Sequence, residues 1–239
     1  MNDRLENYFD KIYVVNLPER IDRRREITEA LQRIGISFTP GKVELFPAVK
    51  PTEAAGFSSP GVRGCFLSHL SILRKAAELD LSNVLVIEDD VEFVSIFEQL
   101  WPAMQQQLQD ASWNFAYLGY THVEGSTLAS RKTEHVEMRP LPDSLRCTHA
   151  YAVSRPTFAP LIEHLEELEQ HRPIDVDGAF NVFRRKYPET LTLIAEPQVI
   201  RDRASHSDLH NTGWRATWVM RILLQPARRI KNFFRRRQF

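Results

Sequence analysis

The stretch NVLVIEDDV, residues 83–91, joins an apolar segment to three consecutive carboxylates. Residues 83–87 are apolar on both faces of an extended chain, which is typical of a parallel strand covered by helices on both sides. Glu88, Asp89 and Asp90 follow at its carboxyl end, where ligands bind in open α/β sheets. This stretch therefore predicts both a central strand and a candidate site.

Outward from this strand, apolar runs and helical periodicity alternate along the chain. Further strands are predicted at residues 11–17, 114–120, 147–154 and 191–195, with an apolar piece at 45–49, and helices at residues 22–34, 66–77, 91–108, 157–170 and 178–187. Residues 121–146 show little periodicity and are interpreted as a variable loop or hairpin. The alternation predicts one α/β domain with a mainly parallel central sheet and helices on both faces.

The totals favour an ordinary globular protein. With 43% hydrophobic and 26% charged residues among 239, neither wholesale disorder nor a membrane-spanning architecture is expected. Cys65 and Cys147 are too few for a disulfide framework, and the first ten residues lack the apolar core of a signal peptide. We therefore expect a cytoplasmic protein, with the cytoplasmic face of a membrane as the alternative location.

The end of the chain is basic. Residues 209–239 hold eight of the 31 Lys and Arg residues and no acid, so residues 1–208 carry 31 acidic and 23 basic side chains. Trp214, Trp218 and Ile222 recur at helical spacing within this tail, which predicts a basic amphipathic segment in peripheral contact with a membrane. A helix packed on the domain, with a frayed basic end, is the alternative.

The acidic triplet predicts a metal site. Adjacent carboxylates repel one another in a partly desolvated site unless a cation offsets them. On a strand, Glu88 and Asp90 point to one side and Asp89 to the other. Oxygen ligands suit Mn²⁺ or Mg²⁺, either of which could bridge to a diphosphate. The alternative is that Asp89 or Asp90 caps the helix predicted to begin at residue 91.

The segment GCFLSH, residues 64–69, contains Cys65, Ser68 and His69. Neighbouring helical residues point about 100° apart, so a Ser-His nucleophile pair is disfavoured. We interpret the segment as a helix start that binds polar ligand groups, with Ser68 and His69 as candidate donor-binding residues. A buried thiol and a structural histidine are at least as well supported.

Two further groups of polar residues flank predicted strands or helices. Asn16 ends the first strand, and Arg20, Arg23 and Arg24 follow it, either as a solvated helix face or as ligands of a diphosphate. Residues 175–177 hold two aspartates before a helix.

Asp175 and Asp177 have two interpretations. They are capping and loop residues in the simpler one. In the other, one of them faces the acidic triplet and takes a proton from an acceptor hydroxyl.

Taken together, these segments resemble glycosyltransferase family 25, whose bacterial members build the oligosaccharides of lipopolysaccharide and lipooligosaccharide and whose animal relatives galactosylate collagen. The matching segments are IYVVNLPERIDRR, FPAV, GCFLSHL, VLVIEDDVEF, THAYAVS, PIDVD and SHSDL, in the family's order over roughly residues 11–208. Arg63 departs from the pattern, since many members have an apolar residue there.

The resemblance implies a Rossmann-like glycosyltransferase A fold in residues 1–208. It also implies an inverting transfer from a nucleotide-sugar, commonly UDP-galactose, to a saccharide acceptor. In one interpretation this acceptor is lipid-linked. It points to Glu88, Asp89 and Asp90 as the metal and donor motif and to Asp175 as the downstream acid. The third metal ligand is either a side chain such as His206 or only the donor diphosphate and water.

Two other functions are weighed against transfer. A degenerate relative could bind nucleotide-sugar or protein partners without turnover. Nucleic acid is not expected as a partner, because the body of the chain is acidic and no nucleic-acid-binding motif is recognisable.

Overall fold

A seven-stranded mixed sheet lies at the centre of the protein in the computed structural model, which describes residues 4–123, 135–146 and 149–203. In those residues the strands are β1 (Lys11–Asn16), β2 (Val43–Pro47), β3 (Asn83–Glu88), β4 (Val91–Phe93), β5 (Phe115–Gly119), β6 (His122–Val123), β7 (Glu137–Pro140), β8 (Leu145–Arg146), β9 (Ala150–Ser154), β10 (Thr192–Glu196) and β11 (Ile200–Asp202). The helices are α1 (Leu5–Tyr8), α2 (Ile21–Arg33), α3 (Pro60–Glu78), α4 (Phe97–Asp110), α5 (Arg155–His171) and α6 (Val176–Lys186).

The central sheet has the order β2-β1-β3-β9-β5-β10-β7. β1 pairs in parallel with β2 and with β3, and β5 pairs in parallel with β10. β9 is antiparallel to both β3 and β5, and β7 is antiparallel to β10. Five strands therefore run in one direction and two against it, which confirms the predicted fold class.

Alternating side chains divide the core into two layers. In β1, Ile12 and Val14 join one hydrophobic cluster, and Tyr13, between them, joins the other. The first cluster packs the sheet against α1, α2 and α4, and the second packs it against α3, α5 and α6. Helices thus cover both faces, as predicted.

The predicted helix at residues 91–108 was wrong at its start. Val91–Phe93 form β4, which pairs antiparallel with β11, and α4 begins only at Phe97. β11 was not predicted, and without a partner strand residues 91–93 read as the beginning of the following helix. The interpretation that Asp89 or Asp90 caps a helix is therefore also wrong.

Helix α3 begins earlier than predicted. Ser59 caps it by accepting a 3.1 Å hydrogen bond from Val62 N, and Pro60 occupies the first helical position, where proline's missing N–H costs nothing. Cys65, Ser68 and His69 consequently lie inside the helix, so the interpretation of the GCFLSH segment as a helix start was wrong.

All described residues belong to one compact unit, Met1–Ser205. No helix among them is long and apolar enough to cross a bilayer. Cys147, His206 and the basic tail at residues 209–239 lie outside the described residues.

Candidate active site

Asp89 is held by two side chains that the fold brings to the carboxyl end of β3. Asn16 Nδ2 donates a 2.7 Å hydrogen bond to Asp89 Oδ2, and Arg23 Nη1 donates one of 2.9 Å to Asp89 Oδ1. All three residues are buried. Burial raises the pKa of Asp89, while the hydrogen bond from Asn16 and the charge of Arg23 oppose that rise. Asp89, placed by sequence among the metal and donor ligands, here anchors the turn between β3 and β4.

The three arginines predicted to reach a diphosphate take different positions. Besides its contact with Asp89, Arg23 Nη1 lies 3.1 Å from Asp90 Oδ2. Arg20 forms a 2.8 Å ion pair with Asp22, and Arg24 is exposed on α2. Buried Arg23 therefore supports the acidic turn, whereas Arg20 is partly exposed and Arg24 is exposed.

Glu88 turns its carboxylate towards α3. Its Oε1 lies 3.7 Å from His69 Nε2, and 29% of its side chain is exposed. Burial raises the pKa of Glu88 to about 8; the charge of Asp90 adds to the rise and that of His149 opposes it. A nearby cation would lower this pKa and favour the ionised carboxylate.

The two aspartates at the start of α6 have different environments. Asp175 is the N-cap of α6, and its Oδ1 accepts a 2.7 Å hydrogen bond from Gly178 N. The negative charge of Asp177, in the first turn, raises the pKa of Glu88 and opposes the lowering of the His69 pKa by burial. The capping interpretation fits Asp175, and Asp177 is an acid whose charge reaches Glu88 at the end of β3.

Ser68 is occupied by backbone groups. Its hydroxyl accepts a 2.8 Å hydrogen bond from Val49 N and donates one of 2.6 Å to Gly64 O. A Cβ on Gly64 would lie 2.4 Å from Val49 O, so glycine is needed where α3 meets the chain after β2. These contacts give Ser68 a docking role between α3 and that segment.

His69 is fully buried and stacks on Tyr151. Its Nδ1 lies 2.7 Å from the Tyr151 hydroxyl, and the ring centroids are 5.5 Å apart. Burial lowers the pKa of His69 to about 4, so the imidazole is neutral at pH 7. Ser68 and His69 point to different partners, as expected for neighbours on a helix.

His149 is a site residue that the sequence analysis did not single out. It is buried directly before β9, its carbonyl accepts a 2.8 Å hydrogen bond from Glu88 N, and its Nε2 donates to Ile200 O at 3.3 Å. A Cβ on Gly119 would lie 2.5 Å from His149 Nε2. Burial lowers the pKa of His149. The signal that could have found it is the pairing of β9 with β3, which places His149 beside the acidic turn.

The acidic turn fits a hard divalent cation. Glu88 and Asp90 carry carboxylate oxygens, the ligands that Mg²⁺ and Mn²⁺ prefer. Burial and the charge of Asp90 raise the pKa of Glu88, and a bound cation would oppose both effects. These two residues are the candidates to hold such an ion.

The sequence profile described as "Glycosyltransferase family 25 (LPS biosynthesis protein)" matches residues 9–178. The chain belongs to glycosyltransferase family 25. The matched range contains the acidic turn and both aspartates at the start of α6, so every described candidate residue lies within the family 25 match.

Two mouse proteins illustrate the relationship. The chain is 30% identical to procollagen galactosyltransferase 2 of Mus musculus over 129 residues, covering 46% of this chain and 21% of the relative. It is 26% identical to inactive glycosyltransferase 25 family member 3 of Mus musculus over 200 residues, covering 75% of this chain and 33% of the relative. The matches thus span a fifth to a third of the length of these curated relatives.

A solved structure supports the fold of this family 25 member. A glycosyltransferase involved in the glycosylation of the major capsid of PBCV-1 superposes with a TM-score of 0.52 at 12% identity, covering 82% of this chain and 93% of that chain. The protein therefore has the Rossmann-like glycosyltransferase A fold.

Proposed function

We propose that this chain is an inverting glycosyltransferase that moves a sugar, galactose from UDP-galactose, onto a saccharide acceptor in lipopolysaccharide, lipooligosaccharide or other cell-surface glycan synthesis. The observation that carries the proposal is that Glu88, at the end of β3, is acted on by the negative charges of both Asp90 and Asp177. Membership of family 25 supplies the reaction class.

A divalent cation, Mn²⁺ or Mg²⁺, would be held by Glu88 and Asp90. When bound, such an ion neutralises the charge that develops on a departing nucleotide diphosphate. Asn16, Arg23 and Asp89 do not contact the ion in this proposal; their hydrogen bonds fix the turn that presents Glu88 and Asp90. Arg20 and Arg24 are candidates to contact the diphosphate.

The transfer is a single displacement. The acceptor hydroxyl oxygen attacks the anomeric carbon, the bond from that carbon to the nucleotide diphosphate breaks, and the hydroxyl proton passes to a carboxylate. We assign that base to Asp177, because Asp175 uses Oδ1 to cap α6. Asp175 is the alternative base, since the family resemblance aligns it with the downstream acid.

The second candidate function is donor binding without transfer. It is favoured by one observation, that several relatives are named as inactive family 25 members. Glu88, Asp90 and Asp177 are all present in this chain, which favours activity.

An assay of released UDP tests the proposal. UDP-galactose, UDP-glucose and UDP-N-acetylglucosamine are each supplied with Mn²⁺ and a panel of saccharide acceptors, and each is repeated without acceptor. Acceptor-dependent UDP release highest with UDP-galactose supports the proposal, and release with another sugar corrects only the donor. Tight binding of UDP-sugars with no release from any pair supports the second function instead.

The location and the physical form of the acceptor are parts of the same proposal. A cytoplasmic enzyme at the inner face of a membrane would meet a lipid-linked acceptor there. Comparing the rate on a free saccharide with the rate on the same saccharide joined to a lipid and embedded in vesicles tests this part separately.

A further inference from the structure

Cys65, His69 and Glu88 form a cluster of three potential metal ligands next to the acidic turn. Their ligand atoms, Sγ of the cysteine, a ring nitrogen of the histidine and a carboxylate oxygen of the glutamate, all lie within 4.8 Å of one another. Cys65 and His69 are four residues apart on α3, a spacing that places both side chains on one face of the helix.

The Nε2 atom of His69 points towards the carboxylate of this cluster. Its ring is fully buried, and Nε2 has no hydrogen-bond partner within the part of the chain that the structure describes. That nitrogen faces Glu88 Oε1 at 3.7 Å, too far for a hydrogen bond. An unpartnered buried nitrogen costs free energy, and a cation between it and the carboxylate would satisfy both groups.

The second ring nitrogen of His69, Nδ1, has a hydrogen-bond partner. Nδ1 lies 2.7 Å from the Tyr151 hydroxyl. When Nδ1 carries the proton, it donates a hydrogen bond to that hydroxyl, and the lone pair of Nε2 points at the cluster. Histidine ligands of metals characteristically donate the proton of their second nitrogen in this way, which fixes the tautomer and the ring orientation.

We propose that Cys65, His69 and Glu88 form a binding site for Zn²⁺ or another borderline-soft divalent cation, with the fourth position open to water. A thiolate with an imidazole and one carboxylate is a zinc-type ligand set, whereas Mg²⁺ and Mn²⁺ prefer oxygen. On binding, the Cys65 S–H bond breaks, a sulfur–metal bond forms, and the proton leaves to the solvent.

This site shares Glu88 with the proposed donor-metal site. Zn²⁺ bound to Cys65 and His69 would draw the Glu88 carboxylate away from a hard ion at Asp90, so Zn²⁺ would inhibit transfer in competition with Mn²⁺. That consequence rests on the proposed function, whereas the binding site itself does not.

Cobalt spectroscopy tests the site without any turnover. The full chain, reduced with a phosphine, is titrated with Co²⁺ while the thiolate-to-cobalt charge-transfer absorption is followed, and Zn²⁺ is then added to displace the cobalt. We expect the absorption to saturate at one equivalent and to vanish with Zn²⁺. Absence of the band in the folded protein overturns the proposal.

Three variants test the cysteine ligand and the hydrogen bond that would orient His69. Cys65→Ser is expected to abolish the charge-transfer band, and Cys147→Ser, which removes the chain's other cysteine, is expected to keep it. Tyr151→Phe deletes only the hydroxyl beside His69 Nδ1 and is expected to weaken Zn²⁺ binding about 10-fold or more, as loss of an outer hydrogen bond to a ligating histidine does. Circular dichroism confirms that each variant is folded.

The outcomes separate this proposal from the previous one. A band that survives in Cys65→Ser, or one lost in Cys147→Ser alone, overturns the site. A band that depends on Cys65 in a protein without transferase activity leaves the site standing while the proposed function fails. If transfer occurs, its inhibition by Zn²⁺, expressed relative to each variant's own rate without Zn²⁺, should be relieved by excess Mn²⁺ and lost in Cys65→Ser.

Discussion

Arg23 Nη1 lies 2.9 Å from Asp89 Oδ1, and both side chains are buried. A buried ion pair contributes less to stability than its distance implies, because both charges lose their hydration. Removing one partner is different, since the other charge then stays buried and unpaired. The pair therefore fixes the turn after β3, and the stability of the protein becomes sensitive to any change in Arg23.

Arg23→Met keeps the length of the apolar stem and removes the charge. We expect the free energy of unfolding to fall by about 3 kcal/mol. Arg24→Met, one residue along on the exposed face of α2, is the matched control and should change stability by less than about 0.5 kcal/mol. Urea unfolding followed by circular dichroism measures both. If the two variants are equally stable and only Arg23→Met loses donor binding, Arg23 binds the donor, as the sequence analysis allowed.

Asp177→Asn should lower kcat by about 100-fold or more while leaving the KM for the donor nearly unchanged, because a general base acts on the acceptor. Asp175→Asn is the matched control: asparagine caps helices as well as aspartate does, so both kcat and stability should persist. Asp175→Ala should cost about 1 kcal/mol of stability through the lost cap.

The opposite pattern identifies the other base. If Asp175→Asn abolishes turnover at saturating donor and Asp177→Asn does not, the proton goes to Asp175, as the family resemblance implies. Steady-state kinetics with the donor and acceptor varied separately distinguish the two results.

Asp90→Asn should lower turnover by about 100-fold, since a principal electrostatic contribution to the transition state is lost. Asp110→Asn, an exposed aspartate at the end of α4, is the control and should keep the rate. Turnover of the unmodified protein should stop in excess chelator and return with Mn²⁺. An undiminished rate in chelator contradicts the metal role.

Glu88 makes stability depend on pH in a direction that can be measured. Its pKa is raised from 4.5 to about 8 in the folded protein, so the folded state holds this proton more tightly than the unfolded state. Stability from this group is therefore full below pH 4.5 and is lost as the pH rises through about 8. Glu88→Gln removes that loss.

Between pH 6.5 and 8 the unfolding free energy of the unmodified protein should fall relative to Glu88→Gln, by at most about 1.4 kcal/mol per pH unit. Burial lowers the pKa of His69 from 6.5 to about 4, so that histidine's own contribution changes mainly between pH 4 and 6.5, below this window. Saturating Mg²⁺ should flatten the difference by holding Glu88 ionised. Parallel stability curves for the two proteins without metal contradict the raised pKa.

Much of the fold could be predicted because local patterns and tertiary packing agree. Residues 11–17 form a short apolar, β-branched run and residues 83–87 are apolar on both faces, and the two segments form the neighbouring strands β1 and β3. The direction of β9 could not be predicted, because a strand reads the same whichever neighbour it pairs with. β11 was not predicted because its pairing with β4 cannot be seen in the sequence. For the same reason residues 91–93, which form β4, were predicted to begin a helix.

The site was predicted at the level of its segments and not of its contacts. Sequence placed Asn16 and the acidic triplet at one edge of the sheet, but alternation along a strand could not show that the chain turns at Asp89 towards Arg23. The distinction between Asp175 and Asp177 depends on which carboxylate caps α6. His149 required the pairing of β9 with β3, a contact between residues far apart in sequence.

The basic tail beyond the described residues combines positive charge with aromatic side chains. Residues 226–239 carry six cations with Ile230, Phe233 and Phe234 among them. Each cation near an anionic leaflet contributes about 1 kcal/mol, so several together give reversible docking on a membrane surface. Truncation after Gln225 should abolish sedimentation with anionic vesicles and leave the rate on a soluble acceptor unchanged.

Charge and apolar contact can be separated in the same assay. Replacing Arg235, Arg236 and Arg237 with glutamine should weaken sedimentation in low salt, while replacing Phe233 and Phe234 with serine should weaken it at all salt concentrations, because only the electrostatic part is screened. Neutral vesicles are the control. If the truncated protein still sediments, the tail is not what binds the membrane and the proposal is wrong. If truncation lowers the free energy of unfolding and the rate on the soluble acceptor together, the tail packs on the protein instead.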